Sequence, residues 1–260
     1  MHGRGVLLAV SVVLFFALTG CGLNGRAQQQ LNDGYQRYAA GDNAGAIRQM
    51  DVFLRENPHA QRADEAYYVR GLARYNLRQY DAAKLDLEQT VSQATNPELR
   101  AKAALALGDL SYDTGDMTLA ENMYRHAISS FKEQNELQAQ GYYRLGKVLQ
   151  RQGRWREADA QFHKAMYYFP STEPGRRSAR LINANAWTIQ AGAYSRMPIA
   201  AATARRLSAQ GLPARAVAVR QDQRIQYAVQ IGRYGRFEEA DAMLAKVRAA
   251  QSDAFVTPAR

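Results

Sequence analysis

Apolar and polar residues along this chain follow two different periods. From Gln28 to Pro170 the apolar positions recur every three or four residues, and the whole arrangement returns after about 37. Gly34, Gly71, Gly108 and Gly146 mark the repeat. Twelve residues after each stands an alanine (Ala46, Ala83, Ala120, Ala158), and four further on a large side chain (Met50, Leu87, Tyr124, Phe162). These offsets are helical and predict four antiparallel helical hairpins. In each, small residues let two backbones approach while the large one fills the next gap toward the neighbouring pair. The turns read AAGDN, NLRQY, DTGDM and RQGRW, three of them with glycine. Pro58, Pro97 and Pro170 close helical segments.

After Ala184 the period becomes two. In WTIQAGAY (Trp187–Tyr194) the residues Trp187, Ile189 and Ala191 face one way and Thr188, Gln190 and Gly192 the other. A near copy, YAVQIGRY (Tyr227–Tyr234), follows forty residues later with Tyr227, Val229 and Ile231 on its apolar side and Ala228, Gln230 and Gly232 opposite. A central glutamine with a glycine two residues on predicts a sheet surface that a polar ligand can approach closely. Around the copies the pattern gives strand, helix, strand, twice over. A helix is expected at Ile199–Gln210, a strand within Ala214–Arg220, a helix at Phe237–Ala250 and a last strand around Ala254–Val256. Such a duplication makes a four-stranded antiparallel sheet with both helices on one face, leaving the face of Gln190 and Gln230 free. Between the regions, Pro174 and Gly175 form a turn, and a short helix at Arg176–Ile182 is expected to cap the last repeat. The fold class is multidomain α+β: an all-α solenoid, then a small βαββαβ domain.

The N-terminus stands apart. His2 and Arg4 precede an apolar run, Val6–Leu18, too short for a comfortable membrane span and flanked like an export signal. The run ends in LTGC, and Cys21 is the one cysteine of the chain, which excludes an intrachain disulfide or a cysteine metal cluster. LTGC resembles the bacterial lipobox. That resemblance implies cleavage before Cys21, diacylglycerol and palmitate-type acylation, and a durable anchor, since acyl chains contribute about 0.8 kcal/mol per buried CH₂. Gly22, where aspartate would retain a lipoprotein at the inner membrane, implies the outer membrane. The expected organisation is a signal peptide at 1–20, a lipidated tether at 21–30, repeats at 31–170, a linker or capping helix at 171–183 and the C-terminal domain at 184–260.

Composition adds charge to this picture. The chain has 260 residues and a net charge of +10. From Arg26 to Arg180 there are 22 basic and 19 acidic residues, but after Ala184 there are 11 and 5, so the excess concentrates in the last domain. A cationic surface there would steer toward an acidic wall or anionic headgroups. Its aromatics lack the pattern of an RNA-binding sheet, so a nucleic-acid partner is not expected. His2, His59, His126 and His163 have no metal-ligand spacing, and the chain has no G-x-S-x-G, HExxH or nucleotide-binding glycine loop. Glu238 and Glu239 open an exposed helix, where they suit its dipole. No enzyme activity, cofactor or metal is expected.

The repeat region resembles the tetratricopeptide repeat, whose unit of about 34 residues is lengthened here by three or four. The third and fourth units, LALGDLSYDTGDMTLAENMYRHAI and YRLGKVLQRQGRWREADAQFHKAM, carry it best, and the first is weaker, with Arg37 where an aromatic is usual. The resemblance implies a scaffold whose groove takes a protein partner. Tyr38, Tyr75 and Tyr112 recur at one position, either along that groove or packed between helices. Lysine and asparagine do not recur where some relatives clamp a C-terminal carboxylate.

From Ala184 to Pro258 the two VQ-x-G-x-Y-like signatures, the helix GRFEEADAMLAKV and the closing DAFV resemble the SPOR (sporulation-related repeat) domain. The resemblance implies an RNP/ferredoxin-like fold that binds peptidoglycan glycan strands stripped of their stem peptides, found where septal wall is split. Gln190 matches the family's sheet-face glutamine. Where the family often has serine and arginine, this chain has Ala193 and Ala228, which shifts attention to Thr188, Tyr194, Arg220, Gln226 and Gln230 as glycan-binding candidates. Trp187 is read as core or as a stacking surface for sugars, and Tyr227 as core. Together these readings describe a non-catalytic, lipid-anchored envelope adaptor acting in division or wall remodelling. Two other readings stay open: a scaffold for outer-membrane or envelope assembly that the last domain only localises, and an array that positions a wall hydrolase.

Overall fold

In the computed structural model the described residues are 25–131, 135–221 and 224–259. The export segment and Cys21 lie outside them. The chain divides into two compact units, one ending at Leu145 and the other running from Gly146 to the C-terminus.

The first unit holds α1 (Gly25–Ala39), α2 (Asn43–Glu56), α3 (Ala63–Asn76), α4 (Tyr80–Gln93), α5 (Pro97–Thr114), α6 (Met117–Ser129) and most of α7 (Glu136–Arg151). Local chemistry sets the hairpin turns. Asp42 and Asp116 cap α2 and α6, accepting from the amides of Gly45 at 2.8 Å and Leu119 at 2.9 Å. The residue just before each of these caps is a glycine in the left-handed region, Gly41 at φ 81° and Gly115 at φ 91°. The second hairpin must make the same turn without glycine, and Arg78 adopts φ 60°.

Packing within each hairpin centres on the marker glycine. A methyl added at Gly34 would lie 2.3 Å from Met50, at Gly71 3.0 Å from Leu87, and at Gly108 2.5 Å from Tyr124. The large side chain of the second helix therefore seats on the glycine of its own hairpin and also fills the gap toward the next pair, as its spacing predicts: Met50 clusters with Ala66 and Val69 of α3, and Leu87 with Leu107 and Leu110 of α5. Met50, Leu87 and Tyr124 are all buried. A charged cluster joins successive helices. Asp86 of α4, only 3% exposed, accepts from Arg70 at 2.7 and 2.9 Å and from Arg74 at 2.8 Å, and Arg70 also reaches Asp51 of α2 at 2.6 Å. Three donors on one buried carboxylate supply the compensation that burying a charge requires.

The second unit contains the end of α7, α8 (Trp155–Tyr168), α9 (Glu173–Leu181) and then β1 (Ala186–Tyr194), α10 (Met197–Ala209), β2 (Ala214–Gln221), β3 (Arg224–Tyr234), α11 (Phe237–Ala250) and β4 (Phe255–Ala259). Its helical hairpin repeats the same devices, with Gly153 at φ 76° and Phe162 seated 2.5 Å from a methyl at Gly146. Thr172 caps α9 through the Gly175 amide at 3.2 Å, with Pro174 in the first turn. The strands form one antiparallel sheet in the order β2-β3-β1-β4. Ile189, Ala191, Val229 and Ile231 point to one side of it. There they join Ala200, Ala204 and Leu207 of α10 and Leu244 and Val247 of α11 in a single buried cluster. Both helices thus cover one face of the sheet.

Two substitutions test the turn and packing chemistry with opposite signs. Gly108→Ala drives a methyl into the Tyr124 ring and is expected to destabilise the protein by about 1–3 kcal/mol. Arg78→Gly relieves a left-handed arginine and is expected to stabilise it by about 1 kcal/mol. Chemical denaturation followed by helical circular dichroism reads both.

Candidate functional site

The strand register decides which side chains share the uncovered face. Directly opposed residues of antiparallel strands project to the same side, and Gln190 stands opposite Gln230 on β3 and Phe255 on β4, while Gln230 stands opposite Arg215 on β2. Arg215, Gln230, Gln190 and Phe255 therefore form one row across all four strands. Both glutamines are half-buried, Arg215 is exposed and Phe255 is 46% exposed. Neighbouring strands lie about 4.8 Å apart, so the row runs roughly 14 Å across the sheet. A second row, Val217, Ala228 and Ala193, and a third, Val219 and Gln226, continue the face toward the β2–β3 hairpin.

Two irregularities change the alternation expected from sequence. Between Gln190 and Gly192 the register shifts by one residue at Ala191, which re-phases the end of β1. Gly192 then pairs with Val229 and Tyr194 with Tyr227, both on the helix side. The Tyr194 ring folds back over Gly192, where a methyl would meet its hydroxyl at 3.0 Å, and packs against the buried cluster. The second shift lies in β3 opposite Thr188, where Gly232 takes φ 67°. Thr188 is fully buried there, and its hydroxyl donates to the carbonyls of Gly232 at 2.9 Å and Ile231 at 3.3 Å.

Of the six glycan-binding candidates, Gln190, Gln226 and Gln230 come together on the uncovered face. Thr188 belongs to the same side but is engaged within the sheet. Tyr194 and Arg220 fall on the helix side, since Arg220 pairs with Ile225 two residues beyond the Ala218–Tyr227 pair. Arg215 and Phe255 were not singled out from sequence. The signal for Arg215 was the alternation of ARAVAVR. Its phase relative to Gln230 depends on a hairpin in which Gln221 pairs with Arg224, and strand composition does not give that.

Trp187 begins β1 but is not part of the glutamine face. It is 6% exposed, packed at a tilt with its ring 5.4 Å from that of Trp155 of α8 and edge-on at 5.1 Å to Phe237 of α11, and Arg151 of α7 sits 4.4 Å above the Phe237 ring. Two further bonds hold the connection after α9: Gln150 donates to the Leu181 carbonyl at 3.2 Å and the Asn183 amide to Asp159 at 3.0 Å. The last helical hairpin and the sheet domain thus share one packed junction. The sequence does not reveal this junction, because Trp155 reads there as the turn residue of RQGRW.

The three groove candidates lie in repeated positions. Tyr38 and Tyr75 are half-buried with rings packed on the hairpin cores, so their rings lie between helices. The Tyr75 hydroxyl reaches the next repeat, donating to Asp113 at 2.5 Å. Burial and, for Tyr75, the Asp113 carboxylate raise both hydroxyl pKa values above the ordinary range. Tyr112 is half-buried.

Residues 183–258 match the SPOR domain family, and residues 64–95 and 101–133 match the tetratricopeptide repeat. Solved structures agree on the helical part. The crystal structure of MamA protein is 22% identical, with a TM-score of 0.50 over 60% of this chain and 80% of that one. The apo form of RapI is 13% identical, with a TM-score of 0.54 over 60% of each chain. A tetratricopeptide repeat protein from Parabacteroides merdae is 14% identical, with a TM-score of 0.52 over 60% of this chain and 59% of that one. No curated protein matches the chain. The chain carries tetratricopeptide repeats and a C-terminal SPOR domain, both of them non-catalytic binding modules: SPOR domains bind peptidoglycan and tetratricopeptide repeats bind proteins. No described helix is long and apolar enough to cross a membrane.

The protein has two tryptophans, and both sit in the junction. Trp187→Ala is expected to destabilise the second unit by about 3–5 kcal/mol and to red-shift the emission of the remaining Trp155. Denaturation followed by tryptophan fluorescence measures both.

Proposed function

We propose that this protein is a non-catalytic envelope adaptor that holds denuded peptidoglycan glycan strands on the bare face of its sheet and recruits a protein through its repeats. The observation that carries this reading is the row of Gln190 and Gln230 side by side, flanked by exposed Phe255 and Arg215, on the face that α10 and α11 leave uncovered. A glycan offers many hydroxyl and amide groups along an extended chain. Two adjacent carboxamides can each donate and accept toward such groups, and an exposed ring at the end of the row gives a flat apolar surface for a sugar face. The repeats supply a second attachment point, and Cys21, read as a lipidation site, a third at the outer membrane facing the periplasm. A molecule that joins membrane, wall and a protein partner suits sites of division and wall remodelling.

The junction at Trp187 sets how this is tested, because a fragment cut at residue 184 would lose Trp155 and Arg151 from their partners. The chain from Gly25 onward is the appropriate material. It is expected to sediment with purified sacculi, and more strongly after the sacculi are treated with an amidase. Gln190→Ala removes about 1 kcal/mol of hydrogen bonding and should weaken sedimentation roughly fivefold. Sedimentation no greater than that of a protein without a SPOR domain would reject the wall-binding role. It would leave the assembly scaffold, in which the last domain only localises the repeats.

A further inference from the structure

Arg215 stands at the β2 end of the glutamine row, on the outermost strand, directly opposite Gln230. Its side chain is exposed and makes no ion pair among the described residues, unlike Arg236, which pairs with Glu239. The face it belongs to has no acid at all among its described residues. Its members include Arg215, Val217 and Val219 on β2, Arg224, Gln226, Ala228, Gln230 and, at the irregularity opposite Thr188, Arg233 on β3, Thr188, Gln190 and Ala193 on β1, and Phe255 and Thr257 on β4. A guanidinium beside a carboxamide, on a face whose described residues offer no counter-ion, is arranged for a carboxylate carried by the ligand. Arginine's fixed fork can take both oxygens of such a group at once.

The reading of the ligand as denuded glycan makes that carboxylate specific. When an amidase hydrolyses the amide between a stem peptide and the lactyl group of the muramic acid, water adds across the bond. The peptide leaves with a free amine and the sugar keeps a free carboxylate. An intact strand carries a neutral amide at that position and a bulky peptide beyond it. We propose that Arg215 is the residue by which this face distinguishes stripped strands from intact ones, pairing with the lactyl carboxylate while Gln230 and Gln190 hold the sugar. The inference rests on glycan binding by this face and adds to it the sign and position of the group that is read. It also accounts for Ala228 without loss of a cation. The strand next to β3 supplies the positive charge one register pair away, as Ala228 opposes Val217 two residues along from Arg215.

The test uses the chain from Gly25 onward and soluble amidase-treated glycan strands. One portion of strands is left as prepared, and in the other the carboxylates are coupled to ethanolamine through a carbodiimide to give neutral amides. The wild type is expected to bind the neutralised strands five- to tenfold more weakly than the untreated ones, with the difference shrinking as salt is raised. Arg215→Gln should bind both preparations alike, at the wild type's weaker level. Arg215→Lys should keep part of the preference, and Arg220→Gln, on the opposite face, should behave as wild type. Equal wild-type affinity for both preparations overturns the role of Arg215 and leaves glycan binding standing. An undiminished preference in Arg215→Gln does the same. Failure of the wild type to bind either preparation overturns glycan binding and this inference with it.

Discussion

Burial of Ile189, Val229 and Ile231 beneath α10 and α11 is the constraint on which the C-terminal domain depends. Once two amphipathic helices cover one side of a four-stranded sheet, the other side has no apolar partner left in its own domain. Apart from Val217 and Val219 on the outer strand β2, the residues on that side are mostly polar or small. Gln190, Gln230 and Arg215 are among the polar residues and Ala193 and Ala228 among the small ones. Phe255, nearly half exposed on a strand that otherwise returns to the core, is the member with least reason to be there unless something covers it.

The same logic governs the repeats at a smaller scale. A glycine in the first helix of each hairpin creates a recess, and the large residue sixteen positions later fills it, as Tyr124 does over Gly108. Tyr75, at the end of the first helix of its hairpin, then passes a hydrogen bond to Asp113 of the following repeat. This side chain serves the stacking of repeats, and its hydroxyl lines the surface of the stack. The last hairpin ends differently. Its turn carries Trp155, which meets Trp187 at the start of β1 and so packs the last hairpin against the sheet domain.

Most of the architecture was legible because it rests on period and spacing. The 37-residue recurrence gave the hairpins, and the alternation around Gln190 and Gln230 gave the sheet and its apolar side. Errors arose where one residue changes phase. The shift at Ala191 carries Gly192 and Tyr194 to the helix side, and nothing in WTIQAGAY distinguishes a bulged alanine from a regular one. Thr188 reads as a surface polar residue but spends its hydroxyl on the carbonyls of the opposing irregularity. Arg215 and Phe255 were missed for another reason: their place depends on pairing partners in other strands, and register is a property of the whole sheet.

The most direct measurement is a titration of the isotopically labelled chain, from Gly25 onward, with soluble denuded glycan strands, followed through backbone amide resonances. If the bare face is the ligand surface, shifts will concentrate at Arg215, Gln226, Gln230, Gln190 and Phe255, with Ala200–Leu207 of α10 and Leu244–Val247 of α11 unmoved. Shifts centred on those helices or on the repeats, with the glutamine row silent, would contradict it.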